Sequence, residues 1–339
     1  MAGRTVRWGI LSTADIGLKK VVPAILKSDL CEVVAVASRD KSKAEAYIAT
    51  LGLTGKATAH GSYEALYADP NVDAIYIPLP NHLHVPTTLA AARAGKHVLC
   101  EKPIALTAKE AEALRAIPKG IVFYEAFMVR FHPQWLRARE IVRSGELGEL
   151  RAIRAVFTYN NTDPANVRNQ ADIGGGGIYD IGCYPVTGAR FLFDAEPLRV
   201  VSLIDRDPAF KTDRLASVMA DFGGGRQLAF TISTQAVGHQ SIEVIGTKGR
   251  VEIVIPYNAP PDTATAVLVD HGHALDGHLA RREIIPPCDQ YTEQAEAFAK
   301  AVLGIAPLPY DAETAIQNMR VLDAIFESER TGAWATVAR

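Results

Sequence analysis

Hydrophobic and polar positions follow two different patterns along the chain. In the first third, short apolar runs alternate with stretches of helical periodicity, which is typical of buried parallel strands joined by helices. The predicted strands cover residues 6–11, 32–38, 74–77, 97–100 and 121–124. The predicted helices cover residues 22–27, 41–50, 85–94 and 109–115. Because crossovers between parallel strands are right-handed, this order predicts an α/β unit with a doubly wound parallel sheet.

After about residue 125, longer strand-like runs dominate. They cover residues 150–159, 199–205, 216–222, 227–234, 241–245 and 250–255. The glycine-containing turns at 223–225 and 247–249 have the chemistry of hairpin connections, so this half is predicted to be a mostly antiparallel sheet. Helices are predicted at 133–144, 291–303 and 312–331, and residues 259–284 are predicted to be irregular because they are polar.

Composition places the chain among ordinary globular proteins. It has 339 residues, of which 48% are hydrophobic and 22% charged, and its net charge is -2. That length suggests two domains, and the charge argues against nucleic acid or an anionic membrane as the partner. The four cysteines are far apart and form no CxxC pair, and the N-terminus does not have the pattern of a signal peptide. We therefore expect a cytoplasmic protein with a small-molecule partner.

The first strand runs into a degenerate dinucleotide-binding fingerprint. Where a Rossmann fingerprint has three glycines, this chain has Ser12, Ala14 and Gly17. Small residues still let the backbone approach a pyrophosphate, and the next helix presents its N-terminus there. Ser12, Thr13, Ala14 and Ile16 are therefore predicted to bind the cofactor. Taken alone, the motif also fits any tight strand-to-helix turn.

The end of the second strand indicates which dinucleotide is bound. NAD sites usually have an acidic residue here for the ribose 2′-hydroxyl, whereas this chain has Ser38 followed by Arg39. A hydroxyl and a guanidinium suit a 2′-phosphate, so NADP is predicted in preference to NAD. Two alternatives stay open: Asp40 contacts a ribose, or Arg39 is a solvated loop residue.

Two more turns follow strand ends, where ligands bind in such sheets. The first is predicted to place Leu79, Pro80, Asn81 and His84 beside the cofactor. The second is the sequence Glu101-Lys102-Pro103, directly after the apolar strand 97–100. Proline fixes this turn, so Lys102 is predicted to point into the crevice where a nicotinamide would lie.

A second constellation begins at four consecutive glycines, residues 174–177. Asp180 and Tyr184 follow, four positions apart, so that on a helix they share a face. A tyrosine becomes an acid or base near neutral pH only if its pKa is lowered, for example by an ammonium such as that of Lys102. The alternative is a core tyrosine bonded to Asp180.

Three polar residues remain open between binding and structural roles. Arg130 either lines the crevice or caps a helix or pairs with Glu125, and Asn161 and Arg168 either contact substrate or are loop residues. The histidine-rich tract 270–278 lies in an irregular segment without a scaffold that would fix metal geometry, so it is interpreted as a loop and no metal is predicted.

Together these segments resemble one family. The sequences WGILSTADIG, VASRD, PLPNHLH, EKPIALTAKEAEAL, EAFMVRFHPQW, GELGELRAI, GGGGIYDIGCYPV and AIQNMRVLDAIFESERTG occur in the order found in the glucose-fructose oxidoreductase, inositol dehydrogenase and rhizopine catabolism (Gfo/Idh/MocA) family. The resemblance runs from about residue 6 to 337. Around Tyr184 it is strongest to the NADP-dependent aldose dehydrogenases and dimeric dihydrodiol dehydrogenases.

The resemblance implies an N-terminal Rossmann domain, residues 1–124, and a C-terminal α+β domain, residues 125–339, on a large open, mainly antiparallel sheet. It implies that this sheet forms a homodimer or homotetramer, and that the last helix, about 312–331, packs back on the first domain. The replacement of two fingerprint glycines, here by Ser12 and Ala14, recurs within the same branch. The resemblance therefore still implies cofactor binding.

The resemblance also assigns roles to individual residues. Lys102, Asp180 and Tyr184 match the catalytic positions. The implied cofactor-binding residues are Ser12, Thr13, Ala14, Ile16, Ser38, Arg39, Leu79, Pro80, Asn81, His84, Glu101, Lys102 and Arg130. The implied substrate-binding residues are Lys102, Asn161, Arg168, Asp180 and Tyr184.

These assignments predict an NADP-dependent dehydrogenase acting on a sugar hydroxyl, foremost an aldose of the D-xylose or D-glucose type. The alternatives are a trans-1,2-dihydrodiol dehydrogenase, an oxidoreductase acting between two sugars with tightly held NADP, and a dinucleotide-binding regulator without catalysis. The substrate itself, the direction of the reaction and the choice between dimer and tetramer stay open.

Overall fold

The structure is a computed structural model that describes residues 4–339. Within that range the strands are β1 Val6–Leu11, β2 Cys31–Ala37, β3 Thr58–His60, β4 Ala74–Ile77, β5 His97–Cys100, β6 Phe123–Glu125, β7 Leu150–Asn160, β8 Arg199–Arg206, β9 Asp213–Asp221, β10 Gln227–Ser233, β11 Gln235–Gly246, β12 Arg250–Ile253, β13 Thr265–Asp270, β14 Arg281–Ile285 and β15 Ala335–Thr336. The α-helices are α1 Val22–Ile25, α2 Lys41–Thr50, α3 Tyr63–Ala68, α4 His84–Arg93, α5 Ala108–Ala111, α6 Pro133–Ser144, α7 Cys183–Phe193, α8 Gln290–Val302 and α9 Ala312–Thr331. Short 3-10 or π segments lie at Gly17–Val21, Asn81–Leu83, Glu112–Ala116, Met128–Phe131, Val167–Asn169, Ala171–Ile173 and Ile178–Gly182.

The chain divides into two compact units. The first contains the residues up to Met128 together with Gln290–Ile316, and the second contains Val129–Asp289 together with Gln317–Arg339. The first stretch of the first unit ends at Met128, near the predicted boundary at residue 124. The later segment Gln290–Ile316 also belongs to this unit, which a division at one position does not provide for. Helix α9 is shared between the units, since its first five residues belong to the first and the remainder to the second.

The first unit is built on a six-stranded sheet in the order β3-β2-β1-β4-β5-β6, and all neighbouring strands pair in parallel. The predicted doubly wound sheet is therefore confirmed. Every residue of β4 is buried, as expected of a central strand. Helix α8 closes part of this core, because Phe298 packs on Trp8 with ring centroids 5.1 Å apart. The edge strand β3 was not predicted, since three residues are too few to show a periodicity.

The second unit is built on a nine-stranded sheet in the order β14-β13-β12-β11-β7-β10-β9-β8-β15. Only the β7–β10 pair is parallel among the described pairings, so the predicted mainly antiparallel sheet is confirmed. Strand β7 shows why one face is covered: Ile153, Ala155 and Phe157 are buried, while the residues between them are more exposed.

The interpretation of residues 259–284 as irregular was wrong. Strands β13 and β14 lie at its centre and its end, and they extend the sheet beyond β12. Burial decides this, because five of the six β13 residues are buried. A run of mixed polarity becomes a strand here because β12 offers a pairing partner, and that long-range contact leaves no local signal. The histidine-rich tract forms the connection between these two strands.

Helix α6 shows how local sequence sets element ends. Its N-cap is His132, whose Nδ1 accepts the N–H of Gln134 at 3.1 Å, and proline occupies the first helical position. The helix ends at Gly145, which adopts the left-handed conformation with φ of 78°. No helix within residues 4–339 combines the length and the apolar composition needed to cross a bilayer.

Candidate active site

The turn after β1 brings three strand ends together. Ser12 has a φ of 98°, its N–H donates to the carbonyl of Ala37 at 2.9 Å, and its hydroxyl donates to the carbonyl of Pro78 at 3.3 Å. Ala37 ends β2, and Pro78 directly follows β4. A positive φ is uncommon for a residue other than glycine, and the two hydrogen bonds hold Ser12 in this conformation. The turn therefore lies at the carboxyl edge of the sheet, where ligands bind in this fold.

Gly17 is the one fingerprint glycine that the chain retains, and the structure gives it a packing role. A Cβ at this position would lie 2.6 Å from the hydroxyl oxygen of Tyr47 and 3.6 Å from a ring carbon of Tyr76. Any side chain would therefore push the helical segment away from the sheet. Thr13, Ala14 and Ile16 remain partly exposed along the same turn.

The end of β2 presents a hydroxyl and a guanidinium. Ser38 is buried and Arg39 is exposed. Asp40 caps α2, since its Oδ1 accepts the backbone N–H of Ser42 at 2.9 Å and the side-chain hydroxyl of Ser42 at 2.7 Å. These hydrogen bonds lower the pKa of Asp40. Oδ1 of Asp40 thus serves the helix, and a ribose contact of Asp40 stays an open alternative. The site fits a 2′-phosphate.

His84 connects the turn after β4 to the Glu101-Lys102-Pro103 turn. It is fully buried, and its ring nitrogens lie 2.7 Å from the carbonyl oxygens of Leu79 and Pro103. Burial lowers the pKa of His84 to about 4. Both ring nitrogens face backbone carbonyls, so the geometry places His84 as a support of the two turns rather than as a group that reaches a cofactor. Leu79, Pro80 and Asn81 are partly exposed beside it.

The Glu101-Lys102-Pro103 turn begins with a carboxylate that the protein holds in place. Glu101 accepts the hydroxyl of Tyr76 at 2.7 Å and the N–H of Lys102 at 3.3 Å. Tyr76 is fully buried, and burial together with the charge of Glu101 raises its pKa well above the ordinary value. The peptide bond between Lys102 and Pro103 is cis. Lys102 is half-buried. Tyr76 bonds to Glu101 before it, and His84 contacts the carbonyl of Pro103 after it.

In the second unit, the predicted residues Arg168 and Asp180 form a cluster with Tyr159. Asp180 Oδ2 accepts the hydroxyl of Tyr159 at 2.6 Å and pairs with Nε of Arg168 at 2.8 Å. Burial and the charge of Asp180 raise the pKa of Tyr159, so this hydroxyl keeps its proton and donates. The charge of Asp180 raises the pKa of Arg168, against the opposing effect of burial. We call Tyr159, Arg168 and Asp180 the carboxylate cluster.

Tyr184 lies one helical turn beyond Asp180 and is only 6% exposed. Its ring packs edge-on against Phe157, with centroids 5.8 Å apart, and against Tyr257 at 5.5 Å. This aromatic packing fixes the ring, and the helical spacing places Tyr184 one turn after Asp180. The structure brings Arg168 to Asp180, while the grouping of Asp180 with Tyr184 stays a prediction.

The glycine run explains how Arg168 is brought to Asp180. The N–H groups of Gly175 and Gly176 donate to the carbonyls of Gln170 and Arg168 at 2.8 and 2.9 Å. A Cβ at Gly175 would lie within 2.7 Å of both carbonyl oxygens. Only glycine permits this close approach, which folds the 168–170 segment back onto the start of the helix.

Two further predicted residues, Asn161 and Arg130, lie in short local segments of the second unit. The side-chain oxygen of Asn161 accepts the N–H of Asp163 at 3.0 Å, which closes a turn at the end of β7. Arg130 is buried in the 3-10 segment Met128–Phe131. Among residues 4–339, no three His, Cys, Asp or Glu side chains are grouped as metal ligands.

Tyr159 is the site residue that the sequence analysis missed. It lies near the end of β7, in register with the buried positions 153, 155 and 157. Alternation along the strand was the available signal, because it places residue 159 on the face that the helices cover. Nothing in the sequence pattern linked this face to Asp180.

The fold and these sites define a class: oxidoreductases that combine a dinucleotide-binding parallel sheet with a second, mixed sheet. Two family models match within the chain. Residues 6–119 match the oxidoreductase family with an NAD-binding Rossmann fold, and residues 135–252 match the GFO/IDH/MocA C-terminal domain. The chain belongs to the Gfo/Idh/MocA family, as the sequence resemblance indicated.

Individual relatives cover nearly the whole chain. An uncharacterized oxidoreductase of Rhizobium meliloti is 45% identical, over 98% of this chain and 99% of the relative. A D-xylose 1-dehydrogenase (NADP(+)) of Haloferax volcanii is 40% identical, over 96% of this chain and 98% of the relative. The solved structure of a 3-ketoreductase from Actinomadura kijaniata, in complex with NADP and TDP-benzene, is similar with a TM-score of 0.87 at 28% identity, covering 96% and 98% of the two chains.

Proposed function

We propose that this protein is an NADP-dependent dehydrogenase of a sugar, most specifically an aldose of the D-xylose or D-glucose type. The observation that carries the proposal is the carboxylate cluster one helical turn before Tyr184. Asp180 is held by Tyr159 and Arg168 at 2.6 and 2.8 Å, so a fixed carboxylate that can accept a hydroxyl lies near a candidate proton acceptor. The D-xylose dehydrogenase relative supports the same substrate class.

The residues present fit NADP. Ser38 and Arg39 offer a hydroxyl and a guanidinium at the end of β2, and the turn at Ser12 leads into a helical segment suited to a pyrophosphate. When bound, NADP supplies the chemistry of accepting a hydride from a carbon or returning it. The NADP-dependent relative and the NADP complex of the similar structure support this cofactor.

The proposed roles of the side chains follow from their chemistry. Tyr184 removes the proton of the substrate hydroxyl, or returns it in the reverse direction. Lys102 lowers the pKa of Tyr184 and hydrogen-bonds the substrate oxygen. Asp180 orients a substrate hydroxyl. This division of roles requires Lys102 and Tyr184 to act on one substrate oxygen, as the resemblance to the family implies.

A substrate screen tests the proposal. Aldoses, deoxy-ketosugars, inositols and trans-dihydrodiols are offered with NADP and with NAD, and turnover is followed by the absorbance of the reduced nicotinamide. We expect the highest kcat/KM with an aldose and NADP. Turnover with dihydrodiols alone would show that the substrate is a dihydrodiol and not an aldose. A bound cofactor that is reduced by one sugar and reoxidised by another without release would indicate sugar-to-sugar oxidoreduction, and no redox change with any compound would favour a regulator.

Replacing Arg39 with Ala is expected to raise the KM for NADP about tenfold while changing the KM for NAD little. A hydrogen bond to a charged group contributes about 1.5–3 kcal/mol, and about 1.4 kcal/mol corresponds to a tenfold change in affinity. Exposure of Arg39 places the effect at the lower end. The matched control is Arg93→Ala on α4, another exposed arginine of the same unit. Equal losses with both cofactors would exclude a 2′-phosphate role for Arg39.

We also propose that the open face of the nine-stranded sheet pairs two copies of the chain. This face carries exposed apolar side chains, with Leu203 at 78% and Met219 at 45% exposure, beside the small residues Ser217 and Ala229. A shallow groove of about 650 Å³ runs across it. Exposed apolar patches of this kind mark association surfaces, and the resemblance to the family supports a second copy as the occupant.

Replacing Leu203 and Met219 with Arg is expected to convert the assembly to monomers, because two buried guanidinium groups would lack partners at the interface. The measurement is molar mass by light scattering after size exclusion. Leu136→Arg is the control, since Leu136 is 50% exposed on α6, which packs on the same sheet near β12 and β13. An unchanged mass in the double variant would place the interface elsewhere.

A further inference from the structure

A buried carboxylate that the proposed reaction does not use lies beneath the glycine run. Asp213, the first residue of β9, is 2% exposed. Its Oδ2 accepts the N–H of Ile178, which is the first residue of the helical segment that carries Asp180. The carboxylate therefore occupies the N-terminal end of this segment, where unpaired N–H groups favour an acceptor.

The glycines are required because the chain passes so close to Asp213. A Cβ at Gly176 would lie 2.0 Å from Oδ1 of Asp213, and Gly176 has a φ of 121°. A Cβ at Gly177 would lie 3.0 Å from the carbonyl oxygen of Asp213 and 2.6 Å from Cδ1 of Ile232. The turn thus closes over Asp213 with no room for a side chain, which accounts for two glycines of the run.

This turn is continuous with the carboxylate cluster on both sides. The N–H of Asp180 donates to the carbonyl of Gly176 at 3.0 Å, and the N–H of Gly176 donates to the carbonyl of Arg168 at 2.9 Å. The segment then continues without interruption into α7, which carries Tyr184. A shift of the turn would therefore move Asp180 and Arg168 together.

The carboxyl group of Asp213 has a raised pKa. Burial raises the pKa of Asp213 to about 7. The charged or titratable groups that act on it are Arg206 of β8, Glu329 of α9 and Tyr159 of β7. Arg206 and Glu329 pair with each other at 2.6 Å, so their charges largely cancel at Asp213, and burial decides the direction of the shift.

We propose that Asp213 is a positioning residue for the dehydrogenase reaction: its contact with the glycine turn holds Asp180, Arg168 and Tyr184 in register. The inference rests on the proposed function for its catalytic readout. It assigns Asp213 no contact with substrate or cofactor. The dependence on Asp213 should therefore appear in kcat, and not in the KM for NADP, because the predicted phosphate-binding residues belong to the other unit.

The test compares Asp213→Ala with Asp213→Asn. Alanine removes the acceptor for the Ile178 N–H, and we expect kcat to fall at least about tenfold, as for other supporting residues of a site, with an unchanged KM for NADP. Asparagine keeps an acceptor oxygen, and we expect it to retain kcat within about threefold, a difference of less than 1 kcal/mol. Asp221→Asn is the matched control, since Asp221 ends the same strand and also accepts a backbone N–H, that of Gly223 at 2.9 Å.

Thermal unfolding tests the same contact without any substrate. Because the pKa of Asp213 is raised on folding, its contribution to stability is present below pH 4 and is lost as the pH rises through about 7. Asparagine cannot ionise, so the melting temperature of Asp213→Asn relative to wild type should increase between pH 5 and pH 8. If no compound in the substrate screen is turned over, the proposed function is refuted. The melting comparison needs no substrate, so it would still measure the contribution of Asp213 to stability.

Two results would overturn the proposal. One is a folded Asp213→Ala protein with wild-type kcat, and the other is an Asp213→Asn protein whose kcat falls as far as that of Asp213→Ala. If the alanine protein does not fold, Asp213→Ser takes its place. If that also fails, Asp213→Asn decides: this variant keeps an acceptor oxygen, and a kcat lower than wild type by clearly more than about threefold would overturn the proposal.

Discussion

Replacing Lys102 with Met is expected to abolish turnover, with kcat lower by at least about 10³-fold, while the protein remains folded. The ammonium is the proposed group that lowers the pKa of Tyr184 and binds the substrate oxygen, and stabilisation of a developing oxyanion by one donor accounts for an effect of about this size. Methionine keeps the length and the apolar stem of lysine, so the half-buried turn between Glu101 and Pro103 should persist. The measurement is kcat from the absorbance of reduced nicotinamide, together with the melting temperature.

The matched control for this substitution is Lys109→Met. Lys109 is exposed on α5, in the same unit, and has no proposed role. Its substitution should leave kcat unchanged, which separates the loss of a specific ammonium from the loss of any positive charge. Substantial residual turnover in the Lys102→Met protein, with normal folding, would contradict the role assigned to Lys102.

Replacing Tyr184 with Phe is expected to slow turnover by about 10²–10⁴-fold, the usual contribution of a general acid or base. The hydroxyl is the proposed proton acceptor, and phenylalanine removes it alone. The ring contacts with Phe157 and Tyr257, at 5.8 and 5.5 Å, should remain because they involve only the aromatic ring. Retained stability with a large loss of kcat is therefore the expected result, measured by steady-state kinetics and thermal unfolding.

The neighbouring Tyr257 offers a control with the same chemical change. It is fully buried in the same aromatic group, and it has no role in the proposed reaction. Tyr257→Phe should change kcat by less than about threefold, a difference of less than 1 kcal/mol in the barrier. If both tyrosine variants lose kcat equally, the effect belongs to the aromatic packing and the proton-transfer role of Tyr184 is refuted.

Burial patterns along the chain were enough to predict most of the fold. Strands β1, β4 and β5 were predicted at their observed bounds because each is a short apolar run between helices, and a strand buried on both faces must be apolar throughout. Helix α9 was also predicted at its observed bounds. These elements are encoded locally, by spacing and end signals that neighbouring residues carry. Strands β3, β13 and β14 were missed because they become strands only by pairing with β2, β12 and β13, respectively.

The sequence by itself determined the type of each sheet, the turn at Glu101-Lys102-Pro103 and the candidates Asp180 and Tyr184. It also determined that the end of β2 carries Ser38 and Arg39. These features depend on residue type and on short spacing, which a linear pattern records. That Asp40 caps α2 depends on its backbone geometry, which only the structure shows.

Only the tertiary structure decided which distant residues meet. Tyr159 joins Asp180 from 21 positions earlier, and Asp213 reaches Ile178 from 35 positions later. Such contacts arise where strands of one sheet pass under a helix start, so their spacing in sequence is arbitrary. The glycine run illustrates the division: its presence is visible in the sequence, but the reason for Gly175, Gly176 and Gly177 is the absence of space beside Asp213 and the carbonyl of Arg168, which exists only in the folded chain.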